Sequence, residues 1–246
     1  MKIIPISVLV VISLALLSGC ETTYIPPGPK ADLQALAPAA IQEGFAAKPS
    51  NPFPASIAMV RVQSPDYTNY NLRQHGGQYG SGRYTVITAR EVETQEQLEK
   101  VLALPQVAGI VSLNRMLLSP NLQSDQEIRE AAARLQADLV VLYTFDTVFF
   151  DVDKSATLSV VTLGFSPTRK ITATTTVSAL LLDTRTGFVY SAYEATQKET
   201  LTATSWGSRD AADKARLETE TRAFGKLVDE FVHSWPQLLD RHMQST

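Results

Sequence analysis

The stretch Ala137-Asp138-Leu139-Val140-Val141-Leu142-Tyr143-Thr144-Phe145 constrains the fold more than any other part of the chain. It is mostly apolar at both strand parities, so a strand here must be covered on both faces and belongs inside a sheet. A helical pattern leads straight into it. Ser124-Asp125-Gln126-Glu127 has the form of a capping box, and Ile128, Ala131, Ala132 and Leu135 then recur on one face up to about Gln136.

The flanking segments extend the same architecture. Ile57 to Val62 is a β-rich run that opens the folded part, and Ser64 to Gly82, polar and glycine-bearing, reads as a long loop. A second strand is expected at Tyr84 to Thr88. Thr94 to Leu104 carries helix formers, with Leu98, Val101 and Leu102 on one side, until Pro105 stops it. Val107 to Leu113 is a third strand. From Ile171 to Asp183 the chain alternates, with Ile171, Ala173, Val177, Ala179 and Leu181 on one face and Thr172, Thr174, Thr176 and Ser178 on the other. Asp183-Thr184-Arg185-Thr186-Gly187 is a turn with glycine placed for a positive φ, and Phe188 to Tyr193 returns antiparallel. Phe224, Leu227, Val228, Phe231 and Trp235 mark a closing amphipathic helix from about Ser208 to Ser234. The expected fold is α/β: one mixed-sheet sandwich with helices packed on the sheet, a long antiparallel hairpin and a C-terminal amphipathic helix.

The other end of the chain speaks to location. Residues 1–19 form a secretory signal with a basic start at Lys2 and an apolar run from Ile3 to Leu17, shorter than the ~20 residues a membrane-spanning helix needs. The signal ends in Leu17-Ser18-Gly19, followed by Cys20, the pattern of a lipobox read by the lipoprotein signal peptidase. Cys20 is the only cysteine. Lipidation there leaves no thiol for a disulfide or a metal site, and several acyl chains on one residue anchor stably. The covalent lipid on Cys20 is thus the only cofactor expected. Glu21 occupies the position where an Asp commonly signals retention at the inner membrane, so the expected location is the outer membrane, with the domain in the periplasm. Residues 20–54, rich in proline and poor in large apolar side chains, read as a tether, with Leu33, Leu36, Ile41 and Phe45 on a short amphipathic stretch broken by Pro38. The periplasmic domain is assigned to residues 55–246.

Composition narrows the partners. Without its signal the chain carries 21 basic against 25 acidic residues, so nucleic acid is not an expected partner. His75, His233 and His242 lie far apart and none has a ligand partner at helical or strand spacing, so no metal site and no catalytic residue is assigned. Asp146, Asp151 and Asp153 fall where the central strand is expected to end and read as solvated. The loop Gln74 to Tyr84 holds four glycines, yet it lacks the Gly-Lys-Ser/Thr ending of a phosphate-binding loop and precedes a strand. A nucleotide- or glycan-binding role for Gly76 to Gly82 is a remote alternative. Tyr67, Tyr70, His75 and Tyr79 are the candidate partner contacts of this region.

Three of these segments together resemble the CsgG/LpoB-like bacterial lipoproteins: the helix ending in Ala137-Asp138-Leu139-Val140-Val141, the run from Val177 through the Asp183-Thr-Arg-Thr-Gly187 turn, and the terminal helix. The resemblance spans roughly Ser56 to Leu239. It implies a fold similar to the TolB amino-terminal domain and a role in binding or assembly, as an adaptor or a regulator of cell-wall synthases. The same family includes a curli-type secretion channel, whose subunits donate two membrane hairpins each. Ser155 to Lys170 stands in the first hairpin's place and is apolar for nearly the ~9–11 residues a membrane strand needs. Glu194 to Gly207 stands in the second's place, is too short for two spanning strands and lacks an apolar face. The chain is therefore expected to be a non-catalytic, lipid-anchored envelope protein with an envelope protein partner. A channel subunit is the alternative, and a homo-oligomer is open under either.

Overall fold

The computed structural model describes residues 27–32, 44, 47–153, 169–203 and 208–243. The lipobox, most of the tether and residues 155–168 of the Ser155 to Lys170 hairpin segment lie outside them. Along the described chain run β1 (Ala55–Gln63), α1 (Tyr70–His75), β2 (Gln78–Tyr79), β3 (Ser81–Gly82), β4 (Thr85–Ile87), α2 (Gln95–Leu102), β5 (Val107–Val111), a 3-10 turn at Arg115–Leu117, β6 (Asn121–Leu122), α3 (Gln126–Arg134), β7 (Leu139–Asp153), β8 (Arg169–Asp183), β9 (Val189–Ala203) and α4 (Ser208–Met243).

The main sheet has the order β2-β4-β1-β7-β8-β9, and β5 also pairs with β1. β1 and β7 are parallel neighbours, with Ile57 opposite Leu139 and Arg61 opposite Tyr143. On its other side β1 pairs with parallel β5 through Ala58 and with antiparallel β4 from Arg61 onward, so two strands share one edge and leave a gap between them. β7, β8 and β9 form an antiparallel meander of three 15-residue strands.

As the run Ala137 to Phe145 required, β7 is covered on both faces. Leu139, Val141, Tyr143 and Phe145 meet Phe224, Leu227, Val228, Phe231 and Trp235 of α4. Val140 and Leu142 meet Ile128, Ala131 and Ala132 of α3 on the opposite face. Each large apolar side chain buried in this way contributes ~1.5–3 kcal/mol, so α4 is the main clamp on the sheet. The alternation of β8 holds as well: Ile171, Ala173, Val177, Ala179 and Leu181 are all buried on the α4 side.

α2 and α3 each start with side-chain bonds that reach back across the first turn. Thr94 and Gln97 form a complete capping box at α2. At α3 the cap residue is Asp125, which makes no side-chain cap bond. Glu127 still reaches back, accepting from the Ser124 N–H at 3.0 Å and the Gln123 N–H at 3.1 Å, while the Ser124 hydroxyl accepts from Gln126 N at 3.3 Å. Burial works to raise the Glu127 carboxyl, but these N–H donors hold it below the ordinary value.

The turn between β8 and β9 is built as its residues suggest. Gly187 has φ 71°, and Asp183, fully buried, accepts the Arg185 N–H at 2.8 Å and the Thr186 N–H at 3.1 Å through Oδ1. Its Oδ2 takes Ser50 N at 2.8 Å, tying the end of the tether to the sheet.

Four sequence expectations need correction. The long loop Ser64 to Gly82 contains α1, whose start is fixed by Asn69 accepting the Leu72 N–H at 2.8 Å, and the short strands β2 and β3. The central strand does not end near Asp146: β7 runs to Asp153 because β8 pairs with it along its whole length, which places Asp146, Asp151 and Asp153 within a strand. β9 likewise continues through Glu194 to Ala203, paired with β8. α4 passes Ser234 and Pro236 to reach Met243. A proline inside a helix costs one backbone bond and some strain, and the burial of Leu238 and Leu239 just beyond it offsets that loss.

Candidate functional site

Arg61 occupies an inward position of β1, on the same face as Ile57, and is 2% exposed. Its guanidinium lies over the Phe145 ring at 4.6 Å and the Tyr67 ring at 5.5 Å. It donates from Nη2 to the Tyr67 hydroxyl at 2.8 Å and lies 3.4 Å from Glu220 Oε2. Arg216, one turn before Glu220 on α4, donates to Glu220 at 2.9 Å, to Glu91 at 2.8 Å and to Asp213 at 2.9 Å. Thr147 of β7 donates to the other oxygen of Glu220 at 3.1 Å. Arg216 and Glu220 are fully buried. α4 is thus joined to β1, β7 and the loop before α2 by an ionic network in its first half, ahead of the run of fully buried large side chains that begins at Phe224.

The network tunes its own members. Burial alone would lower Arg61 and Arg216, yet the surrounding carboxylates raise both above the ordinary arginine value. Burial pushes Tyr67 up to about 12, against the pull of Arg61. Burial also works to raise Glu91, but Arg216 and hydrogen bonds from Asn69 and Arg216 bring it below its ordinary 4.5.

Beside the network, in the gap between β4 and β5, lies a cleft of about 40 Å³ lined by Met59, Arg61, Arg90, Glu93, Ser112 and Tyr143 among others. A water needs ~10–15 Å³ of such space, so the cleft has room for about three waters, whereas pockets for drug-sized ligands run to ~300–1,000 Å³. Arg61 Nε and Nη1 are buried without a protein partner. Waters in the cleft can satisfy them, and with Glu91, Glu93, Glu220 and Asp213 around two arginines the region does not attract an anion. The arrangement holds α4 in place.

The four candidate partner contacts do not form one surface. Tyr67 is only 2% exposed and belongs to the arginine network, so its expected role as a surface contact is withdrawn. Tyr70 and His75 are exposed on α1, and Tyr79 is half-buried on β2, opposite Val86. His75 and His233 are exposed, while His242 meets Tyr190 edge to face at a ring separation of 4.9 Å and Phe188 likewise at 5.7 Å. Among the described residues no group of three or more His, Cys, Asp or Glu could hold a metal ion. The glycines of the 76–82 loop serve close packing. A side chain at Gly77 would strike Ala89, at Gly80 Leu122, and at Gly82 the Leu122 carbonyl and Gln123. Cys20, with Leu17, Ser18 and Gly19, lies outside the described residues.

Two surfaces absent from the sequence reading stand out. β9 is an outer strand of the sheet, with β8 as its one strand neighbour among the described residues. The sheet face opposite α4, past the reach of α3, bears Val148, 47% exposed, and Phe150, 59% exposed, beside rows of threonine.

No protein-family model and no curated protein matches the chain. Among solved structures, the crystal structure of a Xanthomonas campestris protein of the DUF330 family aligns over 78% of this chain and 91% of its own, at 13% identity and a TM-score of 0.29.

Proposed function

We propose that this is a lipid-anchored envelope lipoprotein of the outer membrane, without catalytic activity, whose periplasmic domain binds an extended segment of another envelope protein along β9. The edge of β9 carries the reading. Fifteen residues whose one strand neighbour among the described residues is β8 present a row of backbone N–H and C=O groups to which an added strand can pair. The exposed side chains Glu194, Thr196 and Lys198 on one face leave that edge accessible and polar. The anchor rests on Cys20 and its lipobox. An adaptor in an assembly, or a regulator of a cell-wall synthase, is the role such binding serves.

A second reading, pairing with another copy, has a specific observation behind it. Antiparallel pairing of two β9 edges centred on Thr196 sets Glu194 of each copy against Lys198 of the other. That contact closes a twofold dimer and uses up the edge. Light scattering of the lipidated chain in mild detergent, beside the chain lacking residues 1–20, separates these outcomes. Monomers of both forms are expected, dimers of both favour self-pairing, and a large closed ring of the lipidated form would replace either with the channel subunit.

A further inference from the structure

The described part of the tether fixes which end of the domain meets the bilayer. Gly28 donates its N–H to the Thr68 carbonyl at 2.9 Å and sits so close to Tyr67 that any side chain there would collide with backbone. Lys30 pairs with Asp146 at 3.6 Å, and Ala31, 2% exposed, donates its N–H to the Thr144 hydroxyl at 3.2 Å. Followed backwards from Ala31 to Lys30, the tether passes from Thr144 to Asp146, in the direction in which β7 continues to Val148 and Phe150. Six residues lie between Cys20 and Pro27, and the seven steps from one to the other reach at most ~25 Å. Thr144 to Phe150 along β7 covers ~20 Å. An acylated Cys20 therefore has enough chain to reach the exposed end of the sheet.

That end of the sheet has the chemistry of a lipid-facing surface. On the face away from α4, Val148 lies in register with Thr174 and Lys198, and Phe150 with Thr172 and Thr200. Lys170 follows on the same face. None of the described side chains in these rows is acidic. Thr172 and Thr200 bond each other at 3.0 Å, which takes up part of their need for water. An exposed aromatic and a valine flanked by two lysines match the boundary between acyl chains and anionic headgroups.

We propose that this face, Val148 and Phe150 flanked by Lys170 and Lys198, rests on the anionic surface of the membrane that holds the lipid anchor. The proposal stands on the reading that Cys20 is acylated. The contact lays the three-stranded meander along the bilayer, turns α4 away from it and leaves the β9 edge to the side.

The test uses the full mature lipidated chain in vesicles of phosphatidylcholine with phosphatidylglycerol. With Cys20 acylated, a single introduced cysteine, Val148→Cys or, as control on α4, Asp229→Cys, accepts an environment-sensitive fluorophore. Lipids bearing a quencher on the acyl chain report contact with the bilayer. The expected result is a blue shift and strong quenching at 148, neither at 229, with the quenching at 148 lost in K170Q/K198Q. Each lysine strengthens attraction to an anionic surface about fivefold. Equal, water-like signals at 148 and 229 on vesicle-bound protein would overturn the proposal and leave the anchor reading intact. Failure of every labelled chain to join vesicles would instead overturn the anchor, and the proposal with it.

Discussion

Replacing Glu220 by alanine is expected to destabilise the domain by about 3–5 kcal/mol, because it takes away the buried carboxylate that Arg216 and Arg61 share. Glu220 Oε2 takes Arg216 at 2.9 Å and faces Arg61 at 3.4 Å, and none of the three side chains is more than 1% exposed. The exposed pair Lys100–Asp229, at the same 2.9 Å, has side chains 42% and 62% exposed, and solvent screening leaves it little to contribute. Burial, not distance, makes the difference. For a domain of this size the loss corresponds to a fall in Tm of roughly 10 °C, readable by circular dichroism. A change of less than ~2 °C, the size expected of a surface pair, would mean that α4 is not seated by the network.

The same network sets the acid limit of stability. Glu91 has a folded value below its ordinary 4.5, so its contribution is fully present above about that pH and is lost as the pH falls through the lower folded value. Arg216→Ala should shrink this acid-dependent part, since Arg216 is the main group favouring the charged form of Glu91.

Trp235→Ala is expected to cost a similar ~3–5 kcal/mol by a different route, the opening of a cavity. Trp235 is fully buried between Phe231, at a ring separation of 5.3 Å, and Phe53, at 6.2 Å, and its indole N–H donates to the Pro105 carbonyl at 2.8 Å. It holds the second half of α4 to the segment after α2, as Arg216 and Glu220 hold the first half. Trp235→Phe should cost less than the alanine, keeping much of the packing while leaving the Pro105 carbonyl short of a partner. Equal losses for phenylalanine and alanine would show that the hydrogen bond, not the volume, dominates.

These two clamps show what the residues alone could and could not convey. The apolar face of α4 and the double-sided burial of β7 are periodic, so Phe224 to Trp235 and Leu139 to Phe145 were legible. The Asp183 to Gly187 turn was legible because its chemistry is local. The length of β7 and β9 was not, since Asp146, Asp151 and Asp153 interrupt the apolar run of β7 and Glu194 to Ala203 is polar enough to pass for a loop; both stretches are strands through pairing with β8. The ionic network was hidden for a related reason. Arg61 at a buried parity of an apolar strand is a signal, as is the Arg216–Glu220 spacing on a helix, but only the tertiary fold brings them together with Glu91. Tyr67 shows the converse. It was read as surface because its neighbours are polar, and those neighbours turn out to be its partners in the interior.

The most direct test of the proposed function is photo-crosslinking from the edge of β9 in cells. A photoreactive residue at Lys198 should yield a discrete adduct with another envelope polypeptide, and one at Asp229 on α4 should not. Neighbouring residues of an edge strand point their N–H groups alternately toward β8 and outward, so one of Thr196→Pro and Gln197→Pro spares the fold while removing an outward donor. That tolerated variant should lose the adduct at unchanged Tm. Adducts of equal yield from Lys198 and Asp229, or an adduct that survives the tolerated proline, would contradict binding by strand addition at β9.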